Sequence, residues 1–448
     1  MPHAPAVGAN GRDRRPRLAL LVALVATCAA WLVMGGSPVF AAPPDDLSLR
    51  ATYRATAYVH WSNARLTVSS TATVTNTAGG ALKALTFNLV TLQTGKADIS
   101  GVTVDGAPAQ WHASGQTLVV TLPAKLARGA RARITVDYAA RFNAAHSGSH
   151  RALLIKADGI VAAYRWIPWL SRAQRFDAPN FGETWVTAVS PRVTVTLDSD
   201  ARLVFATNGA KTSGGSGAGA QTFTATNVRD FNFSASPSYT VTSIKHAGVK
   251  VHFYSQGQLP ANVRKWTLAA LDRFDGKLGA YPWSHLTVAM TPAGSGMESP
   301  GMTWISTTEP PSNLAYLAVH EMAHQWFYGS VGNNQARQPF LDEGVSDFLA
   351  RDALDMLRKS RCSDDRLDGS VYDYKGACYN EVIYVQSSQY LDRYRDDVGG
   401  HKFWAGMRTF YRAYRFKIGN TRAFWDALDA ASGYDSQKHA DRFPSLYP

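Results

Sequence analysis

The hydrophobic periodicity of this chain changes near residue 245, and this change constrains the fold more than any other feature. Between residues 45 and 245, short segments alternate apolar and polar residues or are rich in β-branched residues, with Gly, Asn, Asp and Pro between them. From residue 246 onwards, apolar residues recur at helical spacing, as in the stretch 263–278. We therefore predict an α+β chain of two domains, an all-β domain over 45–245 and a mainly helical domain over 246–448.

The first 41 residues are typical of an export signal. Four arginines between Arg12 and Arg17 precede the apolar stretch Leu18–Gly36, and Val39-Phe40-Ala41 provides a cleavage site. An uncleaved stretch of this length would just span a bilayer, and no later apolar run does so. We expect an extracytoplasmic protein, either secreted or anchored in the membrane only through this segment.

Composition and charge exclude several classes of protein. Apolar residues make up 45% of the chain and charged residues 18%, which excludes a mostly disordered chain, a collagen and a coiled coil. The formal net charge is +12, but no run of Lys and Arg is interleaved with aromatic residues as in a nucleic-acid groove. We expect no nucleic-acid partner, and the sequence does not specify an oligomeric state.

The second domain contains an H-E-x-x-H pattern that runs from His320 to His324. We place it on a helix that begins after the prolines at 310–311 and ends near Gly329. Residues four apart lie on one helix face, so both imidazoles can reach a single Zn²⁺, and Glu321 lies beside them. By chance, the bare pattern occurs in about one chain of this length in a hundred. The surrounding sequence must therefore distinguish a metal site from a helix that carries two ordinary surface histidines.

A second helical segment opens with F-L-D-E-G at 340–344, so eighteen residues separate His324 from Glu343. A carboxylate at the start of this helix can turn back across the first helix. It would complete a site of two histidines and one carboxylate, which leaves a fourth position for water, as hydrolytic zinc requires. Glu343 could instead only complement the helix dipole, but the spacing favours the ligand. We predict one zinc ion per chain, held by His320, His324 and Glu343.

These motifs, together with S-G-M-E-S at 295–299, resemble the gluzincin zinc aminopeptidases, the family of aminopeptidase N and leukotriene hydrolase. The last string matches the family's G-A-M-E-N exopeptidase motif in its central Met-Glu. The longer string 296–301, followed by a strand, resembles the compact bacterial members. The resemblance covers residues 45–435 and implies a saddle-like β domain, a thermolysin-like catalytic domain and no superhelical C-terminal domain.

The resemblance also implies a role for each matching residue. The three predicted ligands would hold zinc, and Glu321 would be the general base for a zinc-activated water. Glu298, which we expect at the turn between two strands, would bind the substrate's α-ammonium group through a charge-assisted hydrogen bond, with Gly296 and Met297 beside the substrate. The alternative for Glu298 is a solvated acid in a turn.

The family stabilises the oxyanion of the tetrahedral intermediate with a tyrosine on a helix after the glutamate ligand. Tyr384 is our candidate, because the segment 383–386 precedes a long helical stretch. Tyr372, Tyr374 and Tyr379 are nearby alternatives, and the family's usual Tyr-x-Lys-Gly context is missing.

Two positions depart from the family's motif, because Ser295 and Ser299 replace the usual Gly and Asn. Ser299 keeps a hydrogen-bonding group, so we expect the alignment of the substrate to be weakened rather than lost.

The resemblance predicts an exported zinc metallopeptidase that removes N-terminal residues from peptides. Two alternatives stay open: a zinc endopeptidase or other amide hydrolase, and a catalytically silent cell-surface binding protein. The complete set of ligands and base favours an active enzyme. With Cys28 inside the leader, Cys362 and Cys378 are left as an even pair, which we predict to be bridged in an exported chain.

Overall fold

The computed structural model describes residues 49–144, 153–171, 185–215, 219–362, 366–374 and 376–447. The predicted export signal at 1–41 lies outside the described residues. Within the described ranges, no helix has both the length and the apolar character needed to cross a bilayer.

The first half of the chain forms β-strands, as its alternating pattern predicts, with one short helix, α1 (Thr91–Thr94). The strands are β1 (Arg50–His60), β2 (Arg65–Thr75), β3 (Leu82–Asn88), β4 (Asp98–Val104), β5 (Ala107–Pro108), β6 (Trp111–Ser114), β7 (Thr117–Leu126), β8 (Arg131–Arg141), β9 (Leu154–Ala157), β10 (Ile160–Ala163), β11 (Trp169–Leu170), β12 (Val193–Ser199), β13 (Val204–Thr207), β14 (Ala210–Ser213), β15 (Gln221–Ala225) and β16 (Phe233–Ser236).

These strands form three sheets. The largest has the order β14-β15-β12-β1-β2-β8-β4-β5, and the others are β13-β16-β10-β9 and β11-β3-β7-β6. In the large sheet, β1 and β12 pair in parallel and the other neighbours are antiparallel. Alternate residues of its central strands, such as Tyr53, Val68 and Ile134, are buried. One face therefore packs on the core while the Thr-rich and Ser-rich face stays partly exposed.

The second half combines one sheet with helices. The sheet has the strands β17 (Tyr239–His246), β18 (Val249–Gln256), β19 (His285–Thr291), β20 (Gly296–Ser299) and β21 (Met302–Ser306) in the order β17-β18-β19-β21-β20. Strand β17 includes the predicted domain boundary between residues 245 and 246, so this sheet starts a few residues before that boundary. The helices are α2 (Ala261–Leu278), α3 (Leu314–Ala323), α4 (Val345–Leu354), α5 (Ser387–Val398), α6 (Gly400–Tyr414) and α7 (Thr421–Ser432).

A buried polar network joins the two halves behind β20. The side chain of Arg229, which follows β15, donates to the carbonyl oxygens of Gly329 and Ser330 at 3.3 and 3.1 Å. Arg165 Nη2 donates to the Tyr328 hydroxyl at 2.6 Å, and that hydroxyl contacts the carboxylate of Asp230. Buried charges are stable only when they are paired and hydrogen-bonded. These contacts therefore hold the β-rich half against residues 328–330, which follow the H-E-x-x-H pattern.

Candidate active site

Both histidines of the H-E-x-x-H pattern lie at the end of α3. The helix ends at Ala323, six residues before the predicted Gly329, but the backbone N–H of His324 still donates to the carbonyl of His320 at 3.3 Å. The two rings therefore keep the i, i+4 relation, and their Nε2 atoms lie 3.1 Å apart. Both residues are buried, which excludes the two-surface-histidines alternative.

Glu343 completes the triad from a wide helical turn, Phe340–Gly344, whose hydrogen bonds are of the π type and which leads directly into α4. Its Oε2 lies 3.2 Å from Nε2 of His320 and 3.3 Å from Nε2 of His324. Ligand atoms held about 2.0–2.1 Å from a tetrahedral zinc ion lie about 3.4 Å from one another. The spacing of these three atoms therefore fits a zinc ion.

Neighbouring groups orient the two imidazoles. Nδ1 of His324 lies 3.1 Å from Asp342 Oδ1, 3.1 Å from Ser346 Oγ and 3.0 Å from the carbonyl oxygen of Phe327. The ring of His320 lies between the rings of Tyr316 and Tyr384, with centroids 5.5 and 5.6 Å away and interplanar angles of 26° and 18°. The hydrogen bonds with Phe327 and Ser346 fix the orientation of the His324 ring, and the close negative charge of Asp342 raises its basicity, which suits a metal site.

The carboxylate of Glu321 lies next to the triad without belonging to it. It packs against Gly296 so closely that a Cβ at that position would lie 2.1 Å from Oε1. Its Oε2 is buried and has no hydrogen-bond partner among the described residues. Burial raises the pKa of Glu321 well above its usual range, and the charges of Glu298 and Glu343 raise it further. A buried, unpartnered carboxylate beside a metal site is suited to take a proton from a reacting water.

Glu298 lies in edge strand β20, paired opposite Thr303 of β21, rather than at a turn as predicted. The residue is 3% exposed, so it is not a solvated turn acid. Its Oε1 accepts hydrogen bonds from the Tyr164 hydroxyl at 3.4 Å and from Gln335 Nε2 at 3.3 Å. Burial, together with the nearby carboxylates of Asp342 and Glu343, raises the pKa of Glu298 to about 8. A cation that binds here would therefore gain a nearby, poorly solvated acceptor.

The two motif positions that depart from the family differ in their surroundings. Ser299 directly follows Glu298 in β20 and lies in the buried network. Its Oγ donates a hydrogen bond to Asp230 Oδ1 at 2.6 Å and accepts one from Asn232 Nδ2 at 3.0 Å. These bonds anchor β20 to the β-rich half, and the expectation that the alignment of the substrate is weakened rather than lost stays a prediction. Ser295 is exposed at the cleft wall.

Tyr384 lies in a π-helical segment, Asn380–Gln386, that leads into α5. Its ring faces that of His320, so it lies beside the predicted metal site. Of the alternatives, Tyr379 also lines the cleft and packs edge-on against Tyr384 with centroids 6.0 Å apart. The hydroxyl of Tyr374 instead donates to the carbonyl oxygen of Arg366 at 3.1 Å. Among the described residues, Tyr372 and Tyr374 are not part of the cleft lining.

Two kinds of bond hold the segment that carries Tyr384. Cys362 and Cys378 form a disulfide, which confirms the predicted pairing. The Arg358 guanidinium donates to both carboxylate oxygens of Glu381 at 2.9 and 2.7 Å. These hydrogen bonds lower the pKa of Glu381 to about 2, so the ion pair persists as the pH falls through the usual range of a glutamate. The disulfide and the ion pair tie the loop after α4 to the π-helical segment.

The zinc triad, Glu298, Glu321 and Tyr384 open into one cleft of about 780 Å³. Its walls come from the loop before β20, from β20 itself, from α3 and from the π-helical segment. The residues predicted for catalysis, substrate and metal that line it are Gly296, Met297, Glu298, His320, Glu321, His324, Glu343 and Tyr384. The structure thus brings the complete predicted set to one place, and it adds two residues that the sequence did not indicate, Tyr164 and Gln335. No local motif marks either of them.

Comparison with known proteins agrees with this geometry. No protein-family model matches the chain. Aminopeptidase 2 of Candida albicans is 22% identical over 411 residues, which cover 79% of this chain but 43% of the relative, so the chain spans less than half of that protein.

Three solved structures show the same fold. The M1 zinc metallopeptidase of Deinococcus radiodurans matches with a TM-score of 0.66 and 18% identity, over 86% of this chain and 91% of that one. A mutant of the Deinococcus enzyme bound to a Tyr-Ser-Ala substrate matches with the same score and identity over 90% and 95% of the two chains. A two-domain M1 zinc metallopeptidase mutant bound to L-arginine matches at 0.66, with 20% identity over 86% and 91%.

The chain therefore has the fold of the two-domain M1 zinc metallopeptidases. The predicted α+β class, with a β-rich first half and a helical second half, is confirmed, and so is the resemblance to the gluzincin aminopeptidases. His320, His324 and Glu343 form a group suited to zinc.

Proposed function

We propose that this protein is a zinc-dependent aminopeptidase that hydrolyses the first peptide bond of peptides with a free N-terminus. The observation that carries the proposal is the position of Glu298. Its carboxylate is buried in the same cleft as the zinc triad, and Glu298, Glu321 and His324 each have a ligand atom within 4.8 Å of the others. A substrate ammonium bound at Glu298 would place the first peptide bond near the metal.

The mechanism follows from the placement of these groups. A zinc ion held by His320, His324 and Glu343 would polarise the scissile carbonyl and lower the pKa of a water molecule. Glu321 would accept the proton of the attacking water and deliver it to the leaving amine. The Tyr384 hydroxyl would donate a hydrogen bond to the oxyanion that develops on the carbonyl oxygen.

The β-rich half takes part in recognition of the substrate. Tyr164, just after β10, donates to Glu298 across the junction between the two halves. A donor already bound to this carboxylate restrains its rotation before substrate arrives. An N-terminal ammonium then meets a preorganised acceptor and favours its ionised form, whereas an acetylated N-terminus forms no ion pair with Glu298.

A matched pair of peptides tests this proposal. The same peptide, free or N-acetylated, is compared by kcat/KM in the wild type, Glu298→Ala and Glu309→Ala. A charge-assisted hydrogen bond to a poorly solvated group is worth a few kcal/mol, so we expect the wild type to prefer the free peptide about a hundredfold or more. Glu298→Ala should lose this preference. Glu309, another acid of the cleft wall, serves as the control for the loss of a negative charge and should keep it.

The result that contradicts the proposal is equal hydrolysis of both peptides by the wild type. The same cleft would then act as an endopeptidase site, and Glu298 would not recognise the substrate. A protein that binds zinc but hydrolyses neither peptide would favour the catalytically silent alternative.

Export from the cytoplasm is also part of the proposal. The leader pattern of residues 1–41 supports it, and so does the Cys362–Cys378 disulfide, because such bonds persist in oxidising compartments. N-terminal sequencing and mass measurement of protein from the extracytoplasmic fraction are the tests. We expect an N-terminus at Ala42, or an intact leader in the membrane fraction, and no alkylation of Cys362 or Cys378 without reductant. Recovery of the protein only from the cytoplasm would contradict export.

A further inference from the structure

The side chain of Gln335 lies between two buried carboxylates. Its Nε2 donates to Asp342 Oδ2 at 2.6 Å and to Glu298 Oε1 at 3.3 Å. The exposed fractions of the three residues are 2%, 1% and 3%, so bulk water competes little for these bonds. An amide nitrogen carries two hydrogens, and each carboxylate can therefore receive one of them.

The two carboxylates serve different parts of the site. Oδ1 of Asp342 lies 3.1 Å from Nδ1 of His324, and Nε2 of the same ring belongs to the zinc triad. Glu298 is the group proposed to bind the N-terminus of the substrate. We propose that Gln335 is a positioning residue for both functions: it orients Glu298, and it holds the carboxylate of Asp342 against the zinc ligand His324. Only the part of this inference that concerns Glu298 rests on the proposed function.

Charge gives the physical reason for an amide at this position. Two carboxylates in a poorly solvated site repel each other when both are ionised, and this repulsion would turn their side chains apart. The partial positive charge of one NH₂ group between them offsets the repulsion. An acid at position 335 would add a third negative group, and an apolar residue would leave both oxygens without this donor.

The backbone around Gln335 is held independently of its side chain. Its N–H donates to the carbonyl oxygen of Trp185 at 3.1 Å. In the same turn, Asn333 Nδ2 donates to the carbonyl oxygen of Gln338 at 2.9 Å. The bond from Tyr164 to Glu298 does not involve Gln335, so we expect it to remain when Gln335 is replaced. A substitution at 335 should therefore change the orientation of the two carboxylates more than it changes the fold.

The test uses two substitutions of similar size. Gln335→Glu replaces the donor by an acceptor, and Gln335→Met removes the donor without adding charge. Zinc affinity is measured by competition with a chelator, and recognition of the N-terminus by the ratio of kcat/KM for free and N-acetylated peptides. We expect both variants to bind zinc about tenfold to a hundredfold more weakly, and to lose about tenfold of their preference for the free peptide.

The control is Asn333→Ala, which disturbs the same turn but removes no bond to either carboxylate. It should leave both the zinc affinity and the preference ratio within about twofold of the wild type. The inference is overturned if Gln335→Met keeps both readouts, if only one of them changes, or if Asn333→Ala changes both equally. If the wild type itself shows no preference for the free peptide, the proposed function fails, and the zinc affinities alone still test the bond between Gln335 and Asp342.

Discussion

Replacing Gly296 by alanine is expected to disable Glu321 while leaving the fold intact. A Cβ at position 296 would lie 2.1 Å from Oε1, 2.6 Å from Cδ and 2.8 Å from Cγ of Glu321. Non-bonded carbon atoms are stable at about 3.5–4.0 Å, so the carboxylate must move by about 1 Å or more. Because it is the end of a flexible side chain, it can move without shifting α3. The change should therefore act on the base and not on the metal triad.

The magnitude follows from the role of Glu321. A displacement of about 1 Å near a reacting centre can cost about a hundredfold in rate, and a general base contributes about 10²- to 10⁴-fold. We expect kcat/KM to fall within that range. Gly296 is outside the left-handed region of backbone conformation, so alanine is not strained there. The free energy of unfolding should change by less than about 1 kcal/mol.

The assay compares kcat/KM for a free peptide, zinc content and thermal unfolding in the Gly296→Ala and Gly294→Ala variants. Gly294 lines the same cleft, and a Cβ there would meet nothing within 4 Å, so Gly294→Ala should behave like the wild type. Gly296→Ala should keep one zinc per chain and lose activity.

A double variant tests whether the effect passes through Glu321. Adding Gly296→Ala to Glu321→Gln should cause little further loss, because the base is already absent and effects on one unit are not additive. Wild-type activity in Gly296→Ala would refute the steric argument. Fully additive losses would show that Gly296 acts on the substrate independently of Glu321.

Two further predictions concern the metal site and the disulfide. Glu321→Gln should keep zinc and lower turnover by about 10²- to 10⁴-fold. Glu343→Ala should lose zinc as well, because it removes an anionic ligand. Equal zinc loss in both variants would refute the separation of roles. Replacing Cys362 and Cys378 by serine should lower the free energy of unfolding by about 3 kcal/mol in the chain-entropy model. It should also lower kcat with zinc content unchanged, since the segment of Tyr384 is less restrained. An unchanged denaturation midpoint would contradict this.

The parts of the site that the sequence predicted are the ones encoded by short-range geometry. The pair His320 and His324 follows from helical spacing, and Glu343 from a helix that begins a short distance further on. The predictions from the sequence were less accurate for the local backbone conformation. It placed the end of α3 six residues too late and assigned Glu298 to a turn. Residues 296–299 form a strand because β20 pairs with β21. A short-range sequence pattern does not predict this pairing.

The α+β class, the helical pair of histidines and the pairing of the two cysteines were determined by the sequence alone, because each depends on periodicity, spacing or count. Only the tertiary structure decided that Tyr164 and Gln335 share the carboxylate of Glu298, and that Ser299 bonds to Asp230 instead of lining the cleft. The physical reason is distance along the chain. Hydrogen bonds between residues 37 to 134 positions apart depend on tertiary packing, within the second half for Gln335 and between the two halves for Tyr164 and Ser299, and no local pattern of side chains records that packing.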